Sequence, residues 1–203
     1  MRDTPKPVLG VDFDDVLMRA GDALAAFHNA TYGTSYARDE VADFDLSKMW
    51  NCTPEEATRR IGEFMATEFH HEADPVVGAK QALEKLRDAY DIVIVTGRAE
   101  AWREGTVRWL EKNLLGLYRE VHFTGQVAHD GGARRKSDIA TELGIAVFID
   151  DALHFAEDVA SFGIPVLLFD TPWNRGQTRE GVTRVHSWEE ILGLLLPPGK
   201  AIS

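Results

Sequence analysis

The chain has 203 residues, 22 of them lysine or arginine against 33 aspartate or glutamate, for a net charge of −11, with 44% hydrophobic residues. That balance belongs to a folded protein of one domain with an insertion or of two small domains, and its acidity excludes a nucleic-acid polymer as a bulk electrostatic partner, because phosphate binding needs a basic face. The lone cysteine, Cys52, cannot form an internal disulfide, no apolar run reaches the length of a membrane span and the first residues do not read as a secretory leader, so a cytoplasmic protein is expected.

The first predicted strand covers residues 8–13, an apolar run bounded by turn residues. From 17 to 74 no strand is legible; 21–31 and 54–69 have helical spacing, the second with Thr53 as N-cap and Pro54 in its first turn. Helix and strand then alternate: a helix over 79–89, a strand over 91–95, a helix over 100–115 and a weaker strand over 119–123. A helix over 137–143, a strand over 146–149, a helix over 153–160 and a strand over 164–169 follow, and 197–203 reads as a frayed end. Parallel strands need crossovers, so the alternation predicts an α/β fold with a mostly parallel sheet covered on both faces. The core is expected from 1–16 and 75–203, with 17–74 a helical insertion after the first strand.

Ligands of open α/β sheets bind at the carboxyl ends of the strands. Those ends carry Asp12-Phe13-Asp14-Asp15-Val16, Thr96-Gly97-Arg98 and Asp150-Asp151, with Lys136 opening the helix before the last pair. One such aspartate is ordinarily a turn former or cap, and one lysine ordinarily a solvated charge. Acids, a hydroxyl and an ammonium converging on one rim are a different matter. Asp12, Asp14, Asp150 and Asp151 repel one another unless protons or a cation intervene, and hard oxygen ligands favour Mg²⁺.

The ordered set resembles the four motifs of the haloacid dehalogenase superfamily: Asp12-Phe13-Asp14-Asp15-Val16, then Thr96, then Lys136, then Asp150-Asp151. The resemblance implies a Rossmann-like sheet with the first strand central, and a helical cap at 17–74. Members that cleave carbon–halogen bonds lack the second acid, which this chain has. Residues two apart on an extended strand point the same way, so both carboxylates can face one phosphoryl group. The resemblance implies Asp12 as nucleophile, Asp14 as general acid and then base, and Thr96, Gly97 and Lys136 on the phosphoryl group, while Arg98 is expected to anchor substrate or a loop. It also implies Mg²⁺ held by Asp12, the Asp14 carbonyl and Asp150, with Asp151 ligating through water or orienting the site.

The helical cap and the run Leu168-Phe169-Asp170-Thr171-Pro172-Trp173-Asn174-Arg175 are similar to the 5′(3′)-deoxyribonucleotidase-like branch. Gly97 departs from that branch, which usually has serine or alanine there, as does Ala20, where an aromatic is frequent. Phe27, Tyr32, Tyr36, Phe44, Trp50, Phe64 and Phe69 lie in the insertion; such residues ordinarily pack a core, but one or two could stack on a base. A phosphomonoesterase acting on a nucleoside 5′-monophosphate or another small phosphate ester is therefore expected. Phosphoryl transfer to a second alcohol and a non-catalytic phosphate-binding role both stay open. A response-regulator receiver does not fit, since Val121-His122-Phe123-Thr124 ends without an acid. His70 and His71, adjacent on a helix and about 100° apart, read as a surface pair, His129 as a loop residue, His154 as a support for the acid pair, and Gly131-Gly132 as part of a mobile loop.

Overall fold

A computed structural model describes residues 5–40, 45–126 and 133–196; Phe44, His129, the Gly131-Gly132 pair and the end 197–203 lie outside them. Six strands form one parallel sheet in the order β3-β2-β1-β4-β5-β6. They are β1 (Val8–Val11), β2 (Asp91–Thr96), β3 (Glu120–Phe123), β4 (Ile145–Asp150), β5 (Val166–Phe169) and β6 (Val182–Val185). The order reverses at β1, the crevice where doubly wound sheets place their ligands.

Side chains alternate across the pleat and sort the helices into two layers. Leu9, Val11, Ile92 and Ile94 face α5 (Ala79–Leu86), α6 (Arg103–Leu114) and α9 (Trp188–Leu195) through Leu83, Leu110, Trp109 and Ile191. Val93, Val95, Phe148 and Leu168 face α7 (Lys136–Glu142) and α8 (Leu153–Ala160) through Ile139, Ala140 and Val159. No helix among the described residues is long and apolar enough to cross a membrane.

Between β1 and α5 the described residues form helices only: α1 (Ala20–Tyr32), α2 (Leu46–Met49), α3 (Pro54–Met65), α4 (Glu68–His71) and one 3₁₀ turn, Arg38–Glu40. Thr53 caps α3 as expected, its hydroxyl accepting from the Glu56 N–H at 3.2 Å. The chain leaves and re-enters the sheet side by side: Arg19 donates to the Asp74 carbonyl at 2.9 Å and Val76 to that of Leu17 at 2.8 Å. Buried indoles brace this junction, Trp109 Nε1 donating to the Ala73 carbonyl at 2.7 Å and Trp188 Nε1 to that of Val16 at 3.0 Å.

β6 and α9 lie beyond the last element that the sequence predicts. β6 is an edge strand of four residues with only Val182 and Val185 buried, too sparse an apolar pattern to register as a strand. Without it α9 has no partner in the βα alternation. β5 begins at Val166 rather than 164 because Pro165 has no N–H for the ladder.

Gly10 sits mid-strand in β1, where a Cβ would stand 2.5 Å from Cδ2 of Phe148 and 2.7 Å from Cδ1 of Ile145. Glycine at this point lets an aromatic ring cross the central strand. Gly10→Ala is therefore expected to destabilise the fold by about 1–3 kcal/mol through overpacking, read as a lower urea midpoint at unchanged slope.

Candidate active site

Val11 pairs with Ile94 on one side and Ile149 on the other, and the Asp12 N–H continues the ladder to the Ile149 carbonyl at 2.9 Å. Asp12 and Asp150 consequently emerge side by side at the carboxyl rim. Lys136, the first residue of α7, reaches between them, its Nζ donating to Asp12 Oδ1 at 2.7 Å and Asp150 Oδ2 at 2.8 Å. It is 1% exposed and lies 4.6 Å from the centre of the Phe155 ring. Burial alone would lower its pKa, but Asp12 and Asp150 outweigh burial and hold it above the usual lysine range.

Asp12, Asp150 and Asp151 are all buried, with carboxylate oxygens within 4.8 Å of one another. One ammonium cannot neutralise three buried carboxylates. Burial accordingly pushes Asp12 from an ordinary 3.8 up to about 7 against the pull of Lys136, and raises Asp151 as well, with Asp12 and Asp150 adding repulsion. Lys136 takes one oxygen of Asp12, and Trp173 Nε1 takes Oδ2 of Asp151 at 2.8 Å. The second oxygen of each remains for a cation, with Asp150, whose Oδ1 accepts from the Ala152 N–H at 3.0 Å, beside them, and hard oxygen donors at this separation suit a small divalent ion.

The loop after β5 aims Asp151. Asn174 Nδ2 donates to the backbone carbonyls of Asp151 and Phe169, both at 2.6 Å. Asp15, in left-handed backbone at φ 53°, accepts from the Gly21 N–H at 2.9 Å and pairs with Arg38, whose guanidinium also lies over the Trp173 ring at 5.0 Å. Burial pushes Asp15 up to about 7 although Arg38 pulls it down.

Thr96 is fully buried, and its hydroxyl oxygen accepts from the Arg98 N–H at 3.2 Å. A cavity of about 700 Å³ opens above the rim. Asp12, Asp14, Gly97, Arg98, Lys136 and Asp151 line its floor, and Leu24, Trp50, Ile61, Phe64 and Trp102 line its walls. Asp12 and Asp14 thus share one chamber although β1 ends before both; Phe13 between them is buried against Trp109, edge to face at 5.2 Å.

Arg98 lines the cavity and is anchored from inside the protein. Its guanidinium donates to both oxygens of Asp14, to Thr106 Oγ1 and to Nε2 of His70. His70 corrects the surface-pair expectation: it is 0% exposed, because α4 is a single turn wedged between α1, α3 and α6 rather than an extension of α3. Burial first, and then Arg98, hold it down at about 3. A guanidinium only donates, so Nε2 is the acceptor and the proton sits on Nδ1, which is buried without a partner, at a penalty of about 1–3 kcal/mol.

Of the aromatics singled out in the sequence, Trp50 and Phe64 line the cavity and Phe69 is 41% exposed. Phe27 stands edge-on to Tyr32, and His28 stacks on Trp50 at 4.6 Å. His154 lines the cavity too, with its pKa lowered by burial. Arg175 is exposed, and Arg134 and Arg135 form surface pairs with Glu142 and Asp138. Arg38, Thr106 and Trp102 carried no sequence signal: Arg38 pairs with the distant Asp15 and Trp173, Thr106 meets Arg98 only across the fold of the loop between them, and Trp102 reaches the cavity directly.

The family of 5′ nucleotidase, deoxy (pyrimidine), cytosolic type C proteins matches residues 6–200. A candidate nucleotidase of Halalkalibacterium halodurans is 28% identical over 182 residues, 89% of this chain and 88% of its own. A nucleotidase of Clostridium acetobutylicum is 25% identical over 167 residues, 82% of each chain. Among solved structures, a haloacid dehalogenase family hydrolase of Deinococcus radiodurans with bound phosphate and sodium superposes with a TM-score of 0.65 at 20% identity, covering 97% of this chain and 100% of that one. The chain belongs to the nucleotidase family named above and, with it, to the phosphatases of the haloacid dehalogenase superfamily.

The raised carboxyls set a pH dependence. A group whose pKa is raised on folding contributes stability that is complete below its unfolded value and lost as pH climbs through the folded one. For Asp12 and Asp15 that window runs from about 4 to about 7. His70, held low, works in the opposite sense, so the increment in melting temperature on adding Mg²⁺ isolates the cluster. That increment is expected to grow as pH rises from about 5 to about 8, where the cation replaces departing protons. An increment independent of pH over this range contradicts the assignment.

Proposed function

We propose that the chain is a Mg²⁺-dependent phosphatase of nucleoside 5′-monophosphates that works through an aspartyl-phosphate on Asp12. The observation that carries the reading is the sharing of one chamber by Asp12 and Asp14, with Lys136 bridging Asp12 to Asp150. Asp12 is the nucleophile on phosphorus, and Asp14 gives a proton to the leaving oxygen and later takes one from water. The Thr96 hydroxyl, the Gly97 N–H and Lys136 hold the phosphoryl oxygens. Bound by Asp12, the Asp14 carbonyl, Asp150 and Asp151, Mg²⁺ supplies positive charge against the phosphoryl group and the acid cluster.

Residues 17–74 act as the cap. With 1–16 and 75–203 as core, the cap supplies most of the apolar wall over the rim. A cavity of about 700 Å³ is of the size that encloses a small metabolite. Trp50, Phe64 and Trp102 offer aromatic surface to a base, while Ala20, on the same wall, leaves it room. The family's description and the nucleotidase names of the relatives support this substrate class.

Asp12→Asn is expected to lower turnover by roughly 10⁴-fold or more, since no other group can carry the phosphoryl; near-parental turnover would overturn the mechanism. The substrate reading is tested by phosphate release from deoxy- and ribonucleoside 5′-monophosphates beside sugar phosphates and phosphoglycolate. Release confined to nucleotides supports it, and release favouring sugar phosphates overturns it. Activity that survives EDTA counts against the metal.

A further inference from the structure

Arg98 carries a permanent charge at 1% exposure, a placement that requires acceptors for its donors. Nε and Nη2 reach the two oxygens of Asp14 at 2.9 and 2.6 Å, while Nη1 reaches Nε2 of His70 at 2.7 Å and Oγ1 of Thr106 at 2.8 Å. The ring of Phe13 lies 4.5 Å beneath the guanidinium. The Asp14 side chain is itself 34% exposed and lines the cavity. A fixed cation thus grips, from inside the protein, an acid whose other side opens on the substrate chamber.

The grip is anchored from outside the sheet. His70 belongs to α4, the last helix before the chain returns to the core. Its ring packs edge-on to Phe64 at 5.4 Å, and against α6 where that helix has glycine: a Cβ on Gly105 would stand 3.3 Å from His70 Cε1. The helical insertion therefore reaches the acid–base residue through two side chains.

A guanidinium has donors only, so both Asp14 oxygens must present lone pairs to it. A carboxylate held at both oxygens keeps one orientation toward the chamber, so the grip sets where Asp14 meets an attacking water. We propose that Arg98 is a positioning residue for the second half of the reaction, holding Asp14 as the base for hydrolysis of the aspartyl-phosphate, and that His70 and Thr106 hold Arg98. The proposal rests on the reading of Asp14 given above. In that step the water oxygen bonds to phosphorus as the bond from phosphorus to the Asp12 carboxylate oxygen breaks, its electron pair returning to Asp12. The proton of the water passes to Asp14. Inorganic phosphate leaves, one Arg98 bond loosens, and the protonated Asp14 is the acid for the next leaving group.

The test uses the full chain with Mg²⁺ and p-nitrophenyl phosphate, whose leaving group departs with little protonation, so that the two half-reactions separate. His70→Ala and Thr106→Val are expected to keep the initial burst of nitrophenolate within about twofold of the parent. Their steady-state rate should fall about tenfold, inside the roughly 10²–10⁴-fold that a positioned acid–base group contributes, with acid-quenched phosphoprotein accumulating. His70→Gln, whose amide oxygen can accept from Arg98, should restore most of the loss. If His70→Ala does not fold, Thr106→Val carries the test. Burst and steady state falling in equal proportion, or neither changing, overturns the proposal. Asp14→Asn separates the two levels. Phosphoprotein that hydrolyses at the parental rate in that variant removes the reading of Asp14 itself, whereas accumulation there but not in the His70 and Thr106 variants removes only the role of the clamp.

Discussion

Three buried carboxylates set against one buried ammonium is the constraint around which the molecule is built. Asp12, Asp150 and Asp151 crowd within 4.8 Å, and Lys136 answers two of them. In a medium of low dielectric such charge is tolerated only if each oxygen is bonded or matched by a cation. The residual negative charge is left open to the cavity, where on the proposed function a cation and a phosphoryl group would meet it.

Much of the surrounding architecture holds those groups in place. The central position of β1 brings Asp12 beside Asp150, and α7 starts at Lys136 so that its side chain points into the gap. The loop after β5 sets Trp173 against the cavity, and Trp173 and Asn174 fix Asp151 by side chain and backbone. Arg38 ties the helical segment to both Asp15 and Trp173. Charge therefore locks the floor of the chamber, while apolar residues of the insertion close its walls. The apolar wall lowers the local dielectric and so strengthens the electrostatic contacts beneath it.

His70 and Arg98 show how the two parts communicate. Neither is long-range in effect; each simply occupies the hydrogen-bonding capacity of its neighbour. A neutral histidine with one nitrogen left unpaired is an expensive element in a core. Its retention fits a role that a purely apolar residue could not fill, since only an acceptor satisfies the inner face of the guanidinium.

The α/β alternation, five of the six strands and the acid, hydroxyl and lysine positions were legible in the chain because each rests on local signals: apolar runs, turn residues and the ends of strands. β6 and α9 were not, since two buried valines on an edge strand leave no pattern to read. Sequence also fixed the spacing of Asp12 and Asp14, but their common chamber arises from a loop beyond β1, with Phe13 anchored under Trp109. What tertiary structure alone decided is who touches whom across the fold: Trp173 on Asp151, Arg38 on Asp15, Thr106 and His70 on Arg98. These pairs are set by the packing of helices against the rim, and hydrogen bonds between residues as far apart as His70 and Arg98 carry no periodicity along the chain. A histidine beside another histidine looks like a solvated pair until the helix that bears it is seen to end, after one turn, inside the protein.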